Sequence, residues 1–188
     1  MGSVLTAGDL RKGLKLEIDG DPYIVVDFEF SKPGKGQALY RCRLKNMING
    51  NQFDRTYRSG DKFQSADLEE REMEYLYKEV DDYTFMNMES YEEVKLNADA
   101  VADAVNFLTE NLKVSMLFFQ EKPIGLTLPN FVELKVTHSD PGVKGDTSSG
   151  ATKPATLETG YTINVPLFID EGDKLKIDTR TGLYVTRV

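Results

Sequence analysis

The residues best placed to do chemistry lie in Ser31-Lys32-Pro33-Gly34-Lys35-Gly36-Gln37-Ala38, where one lysine stands between two glycines. Pro33 presets its φ for a turn, and Gly34 and Gly36 permit φ > 0 on either side of Lys35. The spacing therefore predicts a turn that lifts this ammonium to a tip with no bulky neighbour. From Ser31 to Phe53 there is no acidic residue, while Lys32, Lys35, Arg41, Arg43 and Lys45 all fall there. A basic tip of this kind suits an approach to phosphate. Taken alone, the octapeptide reads as a solvated hairpin end.

Other constellations carry less. Gly145-Asp146-Thr147-Ser148-Ser149-Gly150-Ala151-Thr152 has the look of a phosphate loop, but Ala151 stands where the phosphate-binding lysine belongs. A strand rather than a helix is predicted to follow, which excludes a Walker-type site. His138 is the single histidine and precedes Ser139-Asp140. Neighbours at one strand end do not make a Ser-His-Asp triad, which needs separate segments to converge. The acidic runs 67–74 and 89–93, with Glu72 and Glu74 among them, read as a solvated face. They lack the spacing of a calcium loop and a histidine partner. No Cys/His cluster has zinc spacing, and the single Cys42 reads as a small packing residue in a strand. The residues point away from an enzyme, a metal or a bound cofactor.

The elements that must position the tip are strands. Tyr23–Phe30 and Leu39–Leu44 flank the Lys35 loop with β-branched and aromatic residues, the pattern of a hairpin. Leu14–Ile18 alternates at period two and turns at Asp19-Gly20. Asn49-Gly50 marks a second hairpin into Gln52–Arg58. Several short strands with tight turns in the first 64 residues predict a small SH3-like barrel. The next segment, 65–128, reads as a hairpin through Asp81-Asp82, a helix over 97–108, and strands joined at Glu121-Lys122-Pro123. Asn97 caps that helix, and Val101, Ala104, Val105 and Leu108 are expected on its inner face. A barrel of short strands interrupted by one helix is an OB-like arrangement. After Pro129 the strands resume and predict a third small barrel over 129–188.

Composition bounds the partners. The net charge of −8 is unevenly spread, with 11 basic and 8 acidic residues in 1–63, 5 and 15 in 64–127, and 7 and 8 in 128–188. An acidic middle excludes a protein that coats nucleic acid by charge alone, while a basic first third leaves one end free to approach phosphate. No apolar run reaches the ~20 residues of a membrane span, no secretory signal is visible, and one cysteine suits a reducing compartment. The expected location is the cytoplasm.

The third segment carries a family resemblance. Lys153-Pro154-Ala155 followed by Gly160-Tyr161-Thr162-Ile163-Asn164-Val165-Pro166-Leu167-Phe168-Ile169-Asp170-Glu171-Gly172 resembles the signature of bacterial elongation factor P. Its flanks, 139–147 and 178–185, and the Lys-Pro-Gly-Lys-Gly-Gln-Ala loop resemble that family too, and the similarity runs from about residue 4 to the end. The resemblance implies a mostly β protein of three barrels in an L-shaped, tRNA-like outline. These are an SH3-like, KOW-type domain over 1–64 and OB-like domains over 65–128 and 129–188. It implies a monomeric, non-enzymatic translation elongation factor that binds the ribosome between the peptidyl and exit tRNA sites and relieves stalling at consecutive prolines.

The same resemblance places Lys35 on the lysine that one branch extends with a β-lysyl group, and sets Lys32, Pro33, Gly34, Gly36 and Gln37 near the tRNA acceptor end. Gly145, Asp146 and Thr147 fall on a loop directed at the exit-site codon on the small subunit. The implied partners are ribosomal RNA and proteins, peptidyl-site tRNA and lysine-modifying enzymes. Other branches modify the lysine differently or carry an arginine with a sugar, so the group on Lys35 is open. Two other readings compete: a general RNA-binding protein, opposed by the acidic middle, and an enzyme built on residues 67–93.

Overall fold

Short runs of alternating apolar and polar residues fold as antiparallel ladders wherever a tight turn lets the chain double back. The computed structural model describes residues 2–142 and 150–188, so Gly145, Asp146 and Thr147 lie outside the described residues. The chain resolves into two compact units, Met1–Glu70 with Met116–Gly125, and Arg71–Ser115 with Leu126–Val188.

In the first unit, β1 (Val4–Thr6), β2 (Lys15–Ile18), β3 (Asp21–Ser31), β4 (Leu39–Asn46), β5 (Gln52–Arg58) and β6 (Lys62–Ser65) form one sheet in the order β1-β6-β2-β3-β4-β5. Inward residues Leu16, Ile18, Val25, Cys42, Leu44 and Tyr57 close over Ala7 and Leu10 as its core. Cys42 is a fully buried packing residue, and burial raises its thiol pKa. The β2–β3 turn uses Asp19 and Gly20, both at positive φ, as the sequence suggested. Asn46 secures the β4–β5 turn from a buried position. Its Oδ1 accepts from the N–H groups of Ile48 and Asn49 at 2.8 and 3.1 Å, while Nδ2 donates to Asp21 at 3.1 Å. The short strands β1 and β6 pair with each other and escaped the sequence pattern.

A second sheet runs β11-β10-β7-β8-β9, from β7 (Leu68–Glu79), β8 (Asp82–Asn87), β9 (Glu93–Asn97), β10 (Lys113–Phe119) and β11 (Lys122–Thr127). Its hairpin turns fall one residue earlier than read. Val80, rather than the Asp81-Asp82 pair, enters the first turn at φ 55, and Gln120 and Glu121 form the second at φ 48 and 64. The helix expected over 97–108 is shorter than predicted. Asn97 does cap it, accepting from Ala100 N–H at 2.9 Å, but the α-helix α1 ends at Val101. Ala102 then turns to φ 48 and the chain continues as a 3₁₀-helix over Ala102–Phe107. Three residues per turn put Ala104 and Phe107 in line, so Phe107 is buried and Val105, expected inside, is 36% exposed.

A third sheet, β14-β13-β12-β15-β16, is built from β12 (Phe131–Ser139), β13 (Thr152–Leu157), β14 (Thr162–Pro166), β15 (Lys174–Asp178) and β16 (Leu183–Arg187). Its core joins Val132, Leu134, Val136, Leu157, Val165 and Ile177 with Phe107 from the 3₁₀-helix. Phe107 meets Tyr161 edge to face, centroids 5.5 Å apart, and Thr159 Oγ1 donates to the Asn106 carbonyl at 2.7 Å. The molecule is mostly β, with barrel-like sheets. Among the described residues no helix is long and apolar enough to cross a membrane.

Candidate functional site

Strands β3 and β4 pair from Tyr23↔Asn46 out to Ser31↔Leu39, so the sheet delivers Lys32–Ala38 as a seven-residue loop. Between Val25 and Asp27 the register slips by one, leaving Val26 as a bulge that bends and twists the hairpin beyond it. Within the loop, Gly36 N–H donates to the Pro33 carbonyl at 3.1 Å, closing a turn with Gly34 and Lys35 at its centre. Ser59 N–H reaches the Ala38 carbonyl at 3.4 Å and ties the returning leg to the chain after β5.

Lys32, Pro33, Gly34, Lys35, Gly36 and Gln37 are all exposed, as the tip reading requires. Among the described residues no oxygen accepts from the Lys35 ammonium. One expectation fails. Neither Gly34 nor Gly36 adopts positive φ. A Cβ at Gly34 meets nothing within 4 Å, and one at Gly36 meets only the Pro33 ring, at 3.4 Å. The backbone does not need these glycines for its conformation here; what they do is keep bulk away from Lys35.

The hairpin has two unlike faces. On one, the ladder sets Arg41 between Glu29 and Thr56, and Arg43 between Asp27 and Asp54. Arg43 donates to Asp54 through Nε at 2.9 Å and Nη2 at 3.4 Å. Within the basic run seen in the sequence, Arg43 is thus paired with an acid that is remote in sequence but adjacent across the sheet, and Arg41 lies opposite Glu29. At the tip, Lys32 and Lys35 have no carboxylate partner among the described residues. On the other face, Phe30, Tyr40 and Tyr57 form one cross-strand row. Phe30 and Tyr40 are 5.1 Å apart between centroids, Phe28 stacks on Tyr40 at 6.3 Å, and the Arg55 guanidinium lies 5.5 Å from the Tyr57 ring. The Phe28/Phe30 alternation against Asp27/Glu29 already separated these faces, yet the aromatic one went unread as a surface.

The hydrogen bond from Arg43 holds the Asp54 carboxyl below its ordinary value. A carboxyl depressed in the folded state contributes stability above its unfolded pKa and loses it as pH falls through the folded one. Asp54→Asn should therefore flatten the pH dependence of the thermal midpoint below about pH 4, with little change at neutral pH because the pair is half exposed.

Elsewhere the chemistry is quiet. His138 Nδ1 lies 2.9 Å from Glu171 and Nε2 lies 3.6 Å from Asp140, while Ser139 Oγ points to the Asp140 carbonyl, so no triad forms. Among the described residues no group of three or more His, Cys, Asp or Glu is placed to hold a metal ion. Glu72 pairs with Lys113 at 3.5 Å. A cleft of about 850 Å³ lies in the second unit and is lined by Tyr75, Glu110, Lys135 and the Lys174–Glu133 ion pair of 2.8 Å. Its lining sets the carboxylates of Glu110, Glu133 and Glu158 against the ammonium groups of Lys135 and Lys174.

Comparison with known proteins places three family models along the chain. Residues 6–63 match the elongation factor P (EF-P) KOW-like domain, 68–126 the elongation factor P (EF-P) OB domain, and 132–187 the elongation factor P C-terminal domain. Elongation factor P of Desulforapulum autotrophicum is 64% identical over 182 residues, covering 97% of each chain. That of Syntrophus aciditrophicus is 61% identical over 183 residues, 97% of this chain and 98% of the relative. Among solved structures, eukaryotic translation initiation factor 5A from Methanococcus jannaschii superposes with a TM-score of 0.59 at 22% identity, over 68% of this chain and 95% of that one. At that identity the likeness speaks to the fold.

Proposed function

The chain belongs to the elongation factor P family and is a translation elongation factor, and from that premise we propose that it acts on the ribosome between the peptidyl and exit tRNA sites. There it stimulates peptide-bond formation at consecutive prolines by holding the peptidyl-tRNA acceptor end with Lys35. The observation that carries this reading is a lysine with no partner among the described residues, at the apex of a hairpin anchored in a barrel core.

Proline is a constrained secondary amine, and a run of prolines sets the peptidyl-tRNA badly for attack. A cation fixed against the acceptor end aligns the reacting groups without exchanging a proton. Positioning of this kind is worth up to ~7–11 kcal/mol in the best intramolecular models. The protein is thus a positioning factor rather than an enzyme. Lengthening Lys35 by a β-lysyl unit adds reach and a second amine for phosphate and ribose. Gln37 and Lys32 flank that contact, and the segment with Gly145, Asp146 and Thr147 is assigned to the exit-site codon on the strength of the family alone. The division into 1–64, 65–128 and 129–188 is supported by the spans of the three family models.

The test is reconstituted translation of a message encoding consecutive prolines. Adding the protein should restore full-length product, with no effect on a proline-free message. Equal behaviour of the two messages would overturn the proposal.

A further inference from the structure

We propose that the aromatic face of the hairpin, centred on Phe30 and Tyr40, is an RNA-stacking surface that receives an unpaired nucleotide while Lys35 holds the adjoining backbone. This inference rests on the reading of the Lys35 tip and adds the direction from which RNA meets it.

Phe30 is 52% exposed although its strand partner Tyr40 is half-buried and the next residue in the row, Tyr57, is buried. The row thus runs out of the barrel core into solvent, one residue short of the loop. Its residues on this face, Phe28, Phe30, Tyr40, Cys42, Arg55 and Tyr57, include no carboxylate. The opposite face holds Asp27, Glu29 and Asp54 together with Arg41 and Arg43. A polyanion meets carboxylates on the second face and none among these residues of the first. Base stacking on an aromatic ring beside cations is how unpaired nucleic acid is bound without sequence preference. Here the cations are Arg55, stacked on Tyr57, and Lys32 and Lys35 in the loop that begins two residues beyond Phe30. Tyr40 packs against one side of Phe30 at a 58° tilt, which fixes the ring.

Four variants separate stacking from packing: Phe30→Ala, Phe30→Leu, Phe30→Trp and Lys35→Ala. The readout is the factor concentration that gives half-maximal rescue on ribosomes stalled at consecutive prolines, with thermal melting as the control for folding. Leucine keeps apolar bulk against Tyr40 but has no π-face, and tryptophan enlarges that face. The expected result is that alanine and leucine raise the half-maximal concentration by roughly tenfold or more, that tryptophan equals or improves on the native protein, and that all melt normally. Leucine behaving as phenylalanine would reduce Phe30 to a packing residue and overturn the inference, while Lys35→Ala still failed. A defect confined to modification of Lys35, absent once the lysine is modified, would assign the face to a protein and overturn the RNA reading. Full rescue by Lys35→Ala would remove the reading of the tip itself, and this inference with it.

Discussion

Lys35→Ala yields a protein that melts like the native one but fails to release ribosomes stalled on consecutive prolines. The side chain touches nothing that stabilises the fold, so the change in stability should stay within about 0.5 kcal/mol. Function should respond very differently. A cation that works by alignment contributes only while it is in place, and a small misplacement can cost on the order of a hundredfold in rate. Single-turnover peptide-bond formation between proline residues, measured with saturating factor, should fall by about that amount. Lys35→Arg tests geometry against charge. The guanidinium keeps the positive charge but is planar and offers a different donor fork, so only partial activity is expected. If Lys35→Arg matched the native protein, bare charge would be enough.

The second large effect falls far from the tip in sequence. Phe107→Ala should lower the stability of the second unit by about 3–5 kcal/mol, the usual cost of emptying a buried aromatic site. Phe107 is 5% exposed, belongs to the same core as Val132, Leu134 and Ile177, and meets Tyr161 edge to face. Val105→Ala, two residues earlier, should change stability by no more than about 0.5 kcal/mol because that side chain already faces water. Urea unfolding followed by far-UV circular dichroism distinguishes the two variants. Equal and large effects would restore the continuous α-helix that the 3.6-residue pattern suggested.

That pair of residues shows where the sequence was legible and where it stopped being so. Asn97 announced a helix start, and the cap is there with its hydrogen bond to Ala100. The alanines, however, favoured an α-helix, and nothing local signalled that Ala102 would adopt φ 48 and hand over to a tighter winding. Packing against the C-terminal core decided that, with Phe107 as the reward, and such contacts are not written in a window of twelve residues. Hairpins behaved better. Asp19-Gly20, Asn49-Gly50 and the Thr179–Gly182 turn carry their geometry in their own residue types. Val80 did not, since a β-branched residue is disfavoured at positive φ and the neighbouring aspartates looked like the better turn.

The exposed tip was legible from composition, Lys35 being the one large side chain between Gly34 and Gly36, although neither glycine takes the positive φ that the turn reading expected of it. What the linear sequence misjudged was charge. Between Ser31 and Phe53 there is no acid to be seen, yet Asp27, Glu29 and Asp54 come back across the ladder to face Arg41 and Arg43. Net charge along a strand is a poor guide to potential over a sheet, because neighbours on one face come from different strands. Once those pairs are removed, Lys32 and Lys35 are what the hairpin has left to offer a polyanion at its end.

The most direct measurement is a crosslink from the tip. A photoreactive amino acid placed at Gln37, two residues from Lys35, leaves the lysine free and samples what surrounds it on a ribosome stalled at consecutive prolines. The crosslink should map to the unpaired acceptor end of the peptidyl-site tRNA, and should vanish when that tRNA is absent. A crosslink that forms equally well without the tRNA, or that maps only to ribosomal protein remote from the acceptor end, would contradict a positioning role for Lys35.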